Sequence, residues 1–351
     1  GFLGCATGRT GVGYTDRDIF PMRDVAPFGQ GLLPCPSANV LRAAGSTLDQ
    51  QLAENLDTNP WRGDFNRVGR TTLDVVGTNL VATWDFGPAT FKSVTGYDRY
   101  WRFREQDSDF TPHLVFESVT EDEAQQWFQE VKLYGELTET PFRWEVGGWY
   151  LQEELFFNQQ DFTFSPSTDS IRDYTQEVSS WAVYGNFSFD FLDDFTLAGG
   201  VRWQSQTSGI DFQRRRSLGR DSSSVDTETV EAPTGEIQLT YNFTDEQSAY
   251  WKYVRGWKPG TWNTSALTTT ETSYADPALI DSVEFGLAGQ WFDGSLSLRT
   301  AFFHYNYTDK QEFIVRATSG APTLEVVNAE GAEIFGVEAE LRLTPLVGLL
   351  P

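Results

Sequence analysis

The sequence predicts an all-β protein: antiparallel strands that cross a membrane as part of a transmembrane β-barrel. Three observations carry that expectation. Apolar and polar residues alternate with a period of two over long stretches. Tight turns recur roughly every fifty residues. Aromatics make up 15% of residues although apolar residues as a whole reach only 39%. Alternation gives each strand one apolar and one polar face, because successive side chains point to opposite sides. The surplus of Trp and Tyr suits two girdles at the membrane interfaces. A soluble β-sandwich or propeller also alternates, so composition alone leaves those folds open.

With 351 residues the chain is long enough to bury a sizeable core. No run of eighteen apolar residues occurs, which excludes a transmembrane helix. The opening GFLGCATGRT lacks the basic and apolar regions of a signal peptide, so the chain is expected to have lost its leader or to start inside a longer protein. A net charge of −24 argues against a nucleic-acid partner, which needs a basic face. There is no G-x-S-x-G elbow, and the two histidines, His113 and His304, lie far apart, so neither a catalytic centre nor a metal or cofactor site is expected. Cys5 and Cys35 share a Gly/Pro-rich stretch and are expected to form a disulfide in an oxidising compartment.

In chain order, residues 1–71 read as a long extracellular loop region carrying the cysteine pair, and residues 72–351 as barrel. Tight turns fall near 86 (Asp85-Phe86-Gly87-Pro88), 140 (Glu139-Thr140-Pro141), 193, 246, 293 and 346, with gaps of about 54, 53, 53, 47 and 53 residues. Between them lie polar stretches at about 105–122, 159–175, 214–228, 261–277 and 316–332, read as outer loops. Each unit is then two long strands, a short turn on one side and a long loop on the other. That asymmetry is the one outer-membrane barrels show. Propeller repeats have a similar length but hold four short strands each.

Eleven strands are expected, starting near 72, 89, 123, 142, 176, 195, 229, 248, 279, 295 and 333. In the fifth, Trp181, Val183, Phe187, Phe189 and Phe191 alternate with Ser180, Ala182, Tyr184, Asn186, Ser188 and Asp190. Beyond Leu192-Asp193-Asp194 the pattern resumes with Phe195, Leu197, Val201 and Trp203 against Thr196, Arg202, Gln204 and Gln206. Ile237, Leu239, Tyr241 and Phe243 continue it, then Val283, Phe285, Leu287 and Trp291, and finally Phe335, Val337, Leu341 and Leu343. The apolar parity is assigned to lipid, and the polar parity, with Arg202 and Glu338, to a wet lumen. Eleven strands do not close a bacterial barrel, since an open edge in lipid leaves backbone groups unsatisfied. The chain is therefore expected to be part of a larger barrel.

Several stretches resemble the barrel of TonB-dependent outer-membrane receptors. Arg255-Gly256-Trp257-Lys258-Pro259-Gly260-Thr261-Trp262-Asn263, after Tyr250-Trp251-Lys252-Tyr253, is similar to one family stretch. Asp281 to Leu287 and Ala301 to Gln311 resemble the next two, and Asn328 to Ala332 with Gly336 to Glu340 the one after. Upstream, Ser93-Val94-Thr95-Gly96-Tyr97 fits as well. The resemblance covers about residues 65–351. It implies a barrel of 22 strands around a plug, half of it here, with neither the plug nor its TonB-contacting box in these residues. It also implies active uptake of a scarce ligand, by default a ferric siderophore, with TonB, membrane lipid and lipopolysaccharide as partners. Cobalamin and saccharides stay open as ligands, and a passive porin-type or saccharide channel is the alternative.

Candidate ligand-binding residues follow from chemistry at the extracellular rim. Arg214, Arg215 and Arg216 offer guanidinium forks to an anionic chelate or to a lipopolysaccharide phosphate. The plainer reading is a solvated loop tip paired with Asp221 or Asp226. Trp257, Trp262 and Asn263 are placed to stack on or hydrogen-bond a ligand, or else to belong to the girdle. Asp107, Asp109, Glu121 and Asp122 form an acidic set whose spacing fits no dedicated calcium loop.

Overall fold

A computed structural model describes residues 65–108, 116–137, 139–163, 169–216, 221–264, 272–318 and 321–344. Its strands are β1 (Arg70–Asp85), β2 (Ala89–Asp107), β3 (Phe116–Glu136), β4 (Phe142–Thr163), β5 (Ser170–Phe191), β6 (Phe195–Arg216), β7 (Ser222–Thr244) and β8 (Gln247–Lys258). They continue with β9 (Thr261–Asn263), β10 (Ser273–Ala275), β11 (Ala278–Trp291), β12 (Leu296–Thr318) and β13 (Ala321–Leu343). Eleven form a single antiparallel meander, β1 to β8 and then β11 to β13, while β9 and β10 pair with each other. Among the described residues, β1 pairs only with β2 and β13 only with β12. Cys5 and Cys35 lie outside the described residues.

The expected count of eleven matches the main sheet. Strands entered from the tight turns begin within one residue of expectation, at Ala89, Phe142, Phe195, Gln247 and Leu296. The turns have local causes. Leu192 and Asp193 adopt φ of 52° and 47°, and Phe292, Asp293 and Gly294 57°, 52° and 81°; these consecutive left-handed residues reverse the chain within the three residues between Phe191 and Phe195 and the four between Trp291 and Leu296. Strands entered from the outer side begin earlier than expected, at Phe116, Ser170, Ser222 and Ala321 rather than near 123, 176, 229 and 333. Four of the five polar stretches read as loops are therefore mostly ladder. Antiparallel pairing persists from Asp107↔Glu117, Asp161↔Ser170, Arg214↔Ser222 and Thr318↔Ala321 downward. Above the membrane both faces of a strand meet water, so backbone pairing continues without an apolar parity to reveal it. The fifth stretch carries the β9–β10 insertion.

The apolar parity is solvent-facing: Trp181, Val183, Val201, Trp203, Trp251, Phe285 and Phe302 are all exposed. In water such a surface is untenable; against lipid it is the expected outer coat. Near the turns, rings follow one another along this face. Phe142 contacts Phe187 and Phe189, then Phe189–Phe191, Phe191–Phe195, Phe195–Tyr241 and Tyr241–Phe243 continue, with centroids 4.6–6.3 Å apart. This is the inner-side aromatic girdle. Tyr150, Trp181 and Trp203 mark the opposite border, beyond which the same parity reads Ser179, Ser205 and Thr207.

The other face is concave, and one dipeptide shows it. Trp262 bonds to β6 while its neighbour Asn263 bonds to β13, five strands further round the sheet. Five inter-strand steps measure about 24 Å on a flat sheet, whereas consecutive Cα atoms sit only about 3.8 Å apart. The sheet must curl around the insertion. On this inner face, glycines lie directly opposite rings of the neighbouring strand: Gly96 under Phe128, Gly147 under Tyr184, Gly286 under Tyr250 and Gly336 under Phe303. A Cβ at any of the four would collide with that ring.

Candidate functional site

The lumen wall is organised in transverse rows, because residues paired across antiparallel strands share a face. Low in the lumen the row is polar and self-bonded. Lys132 Nζ donates to Glu145 Oε2 at 2.9 Å, Asn186 Nδ2 to Glu145 Oε1 at 3.2 Å, and the Tyr184 hydroxyl to Glu130 Oε1 at 2.8 Å. The Arg202 guanidinium lies over the Trp149 and Tyr184 rings at 5.5 and 5.8 Å.

Two rows higher up carry distinct chemistry. One runs Arg102, Asp122, Phe157, Tyr174, Phe212 across β2 to β6. In it, Arg102 Nε donates to Asp122 Oδ1 at 2.9 Å and the Phe157 and Tyr174 rings stack at 4.7 Å. The row above runs Arg104, Thr120, Gln159, Arg172, Arg214. It holds three guanidiniums and no carboxylate. Arg172 sits over the Phe157 ring at 5.6 Å, and Arg214, almost wholly buried, donates from Nη2 to Ser170 Oγ at 3.1 Å.

The insertion between β8 and β11 packs on these rows. Trp262 buries its ring with Ile210 and Phe212, against Tyr174 and Tyr274, and its Nε1 donates to Ser208 O at 3.2 Å. Burial pushes the Tyr174 and Tyr274 hydroxyls above their ordinary pKa. Arg172 Nη1 donates to Thr264 O at 3.0 Å. On the far side, Asn263 Nδ2 donates to Val326 O at 2.9 Å while its Oδ1 accepts from Val326 N at 2.7 Å. The base of the insertion is clasped by two strand amides. Gln311 Nε2 donates to Pro259 O and Asp276 O, each at 2.9 Å. Asn328 Nδ2 donates to Asp276 O at 2.9 Å and to Asp309 O at 2.8 Å, and its Oδ1 accepts from Asp276 N at 2.8 Å. Asp309 is left-handed, φ 53°, where the β12–β13 ladder skips one pair without changing register.

The candidates chosen from sequence are divided by this geometry. Arg214 faces the lumen, while Arg215 faces outward and pairs with Asp173 at 2.5 Å, not with Asp221 or Asp226. Arg216 ends β6 and its side chain lies outside the described ones. The run is strand rather than loop tip, so neighbours alternate. Trp262 and Asn263 are buried in the insertion, whereas Trp257 stands half-exposed on the outward face opposite Leu279. Glu121 and Asp122 lie on opposite faces, and Asp109 and His113 lie outside the described residues. Among the described residues no group of three or more His, Cys, Asp or Glu is placed to hold a metal ion. Sequence reading missed Arg104, Arg172 and the Gln311–Asn328 clasp. Rows and clasps join residues far apart in the chain, and a single strand's pattern does not reveal them.

Residues 26–349 match the family model described as TonB dependent receptor-like, beta-barrel. The chain belongs to that family. It is an outer-membrane β-barrel chain, as expected from the alternation. The pesticin receptor of Yersinia enterocolitica is 25% identical over 162 residues, which is 46% of this chain and 23% of that protein. The ferric yersiniabactin uptake receptor FyuA from Yersinia pestis superposes with a TM-score of 0.68 at 16% identity, over 79% of this chain and 41% of that one. The siderophore receptor PiuA from Acinetobacter baumannii gives 0.61 at 15% identity, over 80% and 45%. The chain thus spans less than half the length of the relatives it matches.

Within a TonB-dependent receptor barrel, the stretches that carried the resemblance acquire physical reasons. Gly96, Gly286 and Gly336 are the glycines covered by opposing rings. Pro259, Asn263, Gln311 and Asn328, drawn from three separate stretches, meet at the insertion.

Proposed function

We propose that this chain is the lumen-forming wall of an outer-membrane receptor that takes up a ferric siderophore with energy delivered through TonB. The observation that supports the reading best is the family match over most of the chain, joined to a polar lumen face whose outer end is lined by arginines and aromatics and crossed by a folded insertion. Relatives named for siderophore uptake point the same way. TonB, outer-membrane lipid and lipopolysaccharide are the partners this reading requires. Catalysis has no part in it, as the family is one of transport receptors. An open porin or saccharide pore fits less well, because the insertion occupies the lumen wall. Uptake of radioactive iron supplied as siderophore complexes, compared between wild type and a deletion strain under iron limitation, tests the proposal. Loss of uptake, restored by the gene only where TonB is present, is expected. Normal ferric uptake with a defect on an oligosaccharide overturns the iron assignment.

A further inference from the structure

We propose that the row Arg104, Thr120, Gln159, Arg172 and Arg214 is a docking wall for a multiply negative chelate, one whose outer groups are catecholate, phenolate or carboxylate oxygens. The inference rests on the uptake reading and sharpens its ligand class. Its first support is charge. In a chain of net charge −24, this row sets Arg172 beside Arg214 on the lumen face, with Arg104 beyond Gln159 and Thr120, and it contains no carboxylate. Among the described residues neither Arg104 nor Arg172 has a carboxylate partner; Arg172 donates only to the Thr264 carbonyl, and its Nε, though buried, has no acceptor.

The nearby acids are largely engaged elsewhere. Asp122 serves Arg102, and Asp161 accepts from Ser170 and Gln159. Asp226 caps the Thr227 amide, and Glu228 stands one strand beyond, on β7. A guanidinium half-removed from water that keeps donors to spare, as Arg172 does at Nε, is a strong and directional receptor for anionic oxygens. Position supplies the second support. Arg172 lies over the Phe157 ring, itself stacked on Tyr174, and is tied to Thr264 O, so its fork is preorganised rather than floppy. Four inter-strand steps from β2 to β6 make the row about 19 Å wide, enough for contacts to opposite sides of one chelate. Thr120 and Gln159, between the arginines, add neutral hydrogen-bonding groups. A neutral ligand gains little from such a wall.

The test uses the complete receptor in detergent and two probes, a triply negative ferric tris(catecholate) and a neutral ferric trihydroxamate, with binding read by tryptophan quenching. Wild type should prefer the catecholate, and its affinity for that probe should fall with added salt. Arg104→Gln with Arg172→Gln should weaken catecholate binding by about tenfold per arginine. Arg172→Lys should restore part of it, and Arg215→Gln, on the outward face, should change nothing. Should the double variant misfold, the salt dependence of wild type still decides, since a salt-independent catecholate affinity contradicts the proposal. Tight hydroxamate binding indifferent to the arginines overturns the anionic class and leaves ferric uptake standing. Failure of wild type to bind either chelate brings down both.

Discussion

Single side chains fix the geometry of the lumen at a few points. Asn263 is one: its amide satisfies both the N–H and the C=O of Val326. Asn263→Ala leaves two polar groups unpaired, a loss of about 1–3 kcal/mol, and the Val326 amide should then exchange faster with deuterium while amides in the middle of β5 do not. The covered glycines are another. A methyl at Gly286 meets the Tyr250 ring, whereas one at Gly148 touches only the Ala182 carbonyl at 3.7 Å. Gly286→Ala should cost about 1–3 kcal/mol by overpacking, and Gly148→Ala less than about 0.5 kcal/mol. Denaturation midpoints that are equal for the two variants contradict this. Little at this scale was visible in the sequence. The run Arg214 to Arg216 looks like one cluster on paper, and only the strand assignment sends Arg215 outward to Asp173.

At the level of elements, the sequence showed what lipid imposes and hid what water permits. Strand starts next to tight turns were legible because an apolar parity begins there at once, as in Phe195 and Leu197. The outer starts of β3, β5 and β7 were not, because residues such as Ser222 to Glu228 are, Val225 apart, polar on both faces. The short β9 and β10 were hidden among threonines and serines. The insertion they form packs on Tyr174, whose burial disfavours ionisation of its hydroxyl, and this gives it a pH dependence. Burial raises the Tyr174 pKa, so its contribution is complete below the unfolded value, about 10, and is lost as pH climbs through the folded value. Proteinase K cleavage between 261 and 275 should therefore accelerate above about pH 10. Tyr174→Phe should remove that alkaline step, and an unchanged profile in the variant would count against the argument.

Across the whole molecule, the decisive variable is where a residue stands relative to the membrane, not how exposed it is. Val201 and Val225 both point outward, 73% and 77% exposed. Val201 lies within the apolar band, opposite Gly185; Val225 lies beyond it, opposite Asp211. Val201→Arg should destabilise the barrel in lipid vesicles by about 2–4 kcal/mol, and Val225→Arg by about 0–1 kcal/mol. Comparable losses at the two sites would refute the placement of the band.

The insertion also has a place in time. Its anchors on Ser208 and Val326 are 54 and 63 residues away in the chain, on opposite sides of it. Neighbouring strands that close short turns zip together early, because little chain entropy is lost in doing so. Trp262 finds its seat once β6 is present, but Asn263 finds none until β12 has recruited β13. The insertion is thus seated on one side before the other, and it is fully fastened only once β13 has paired.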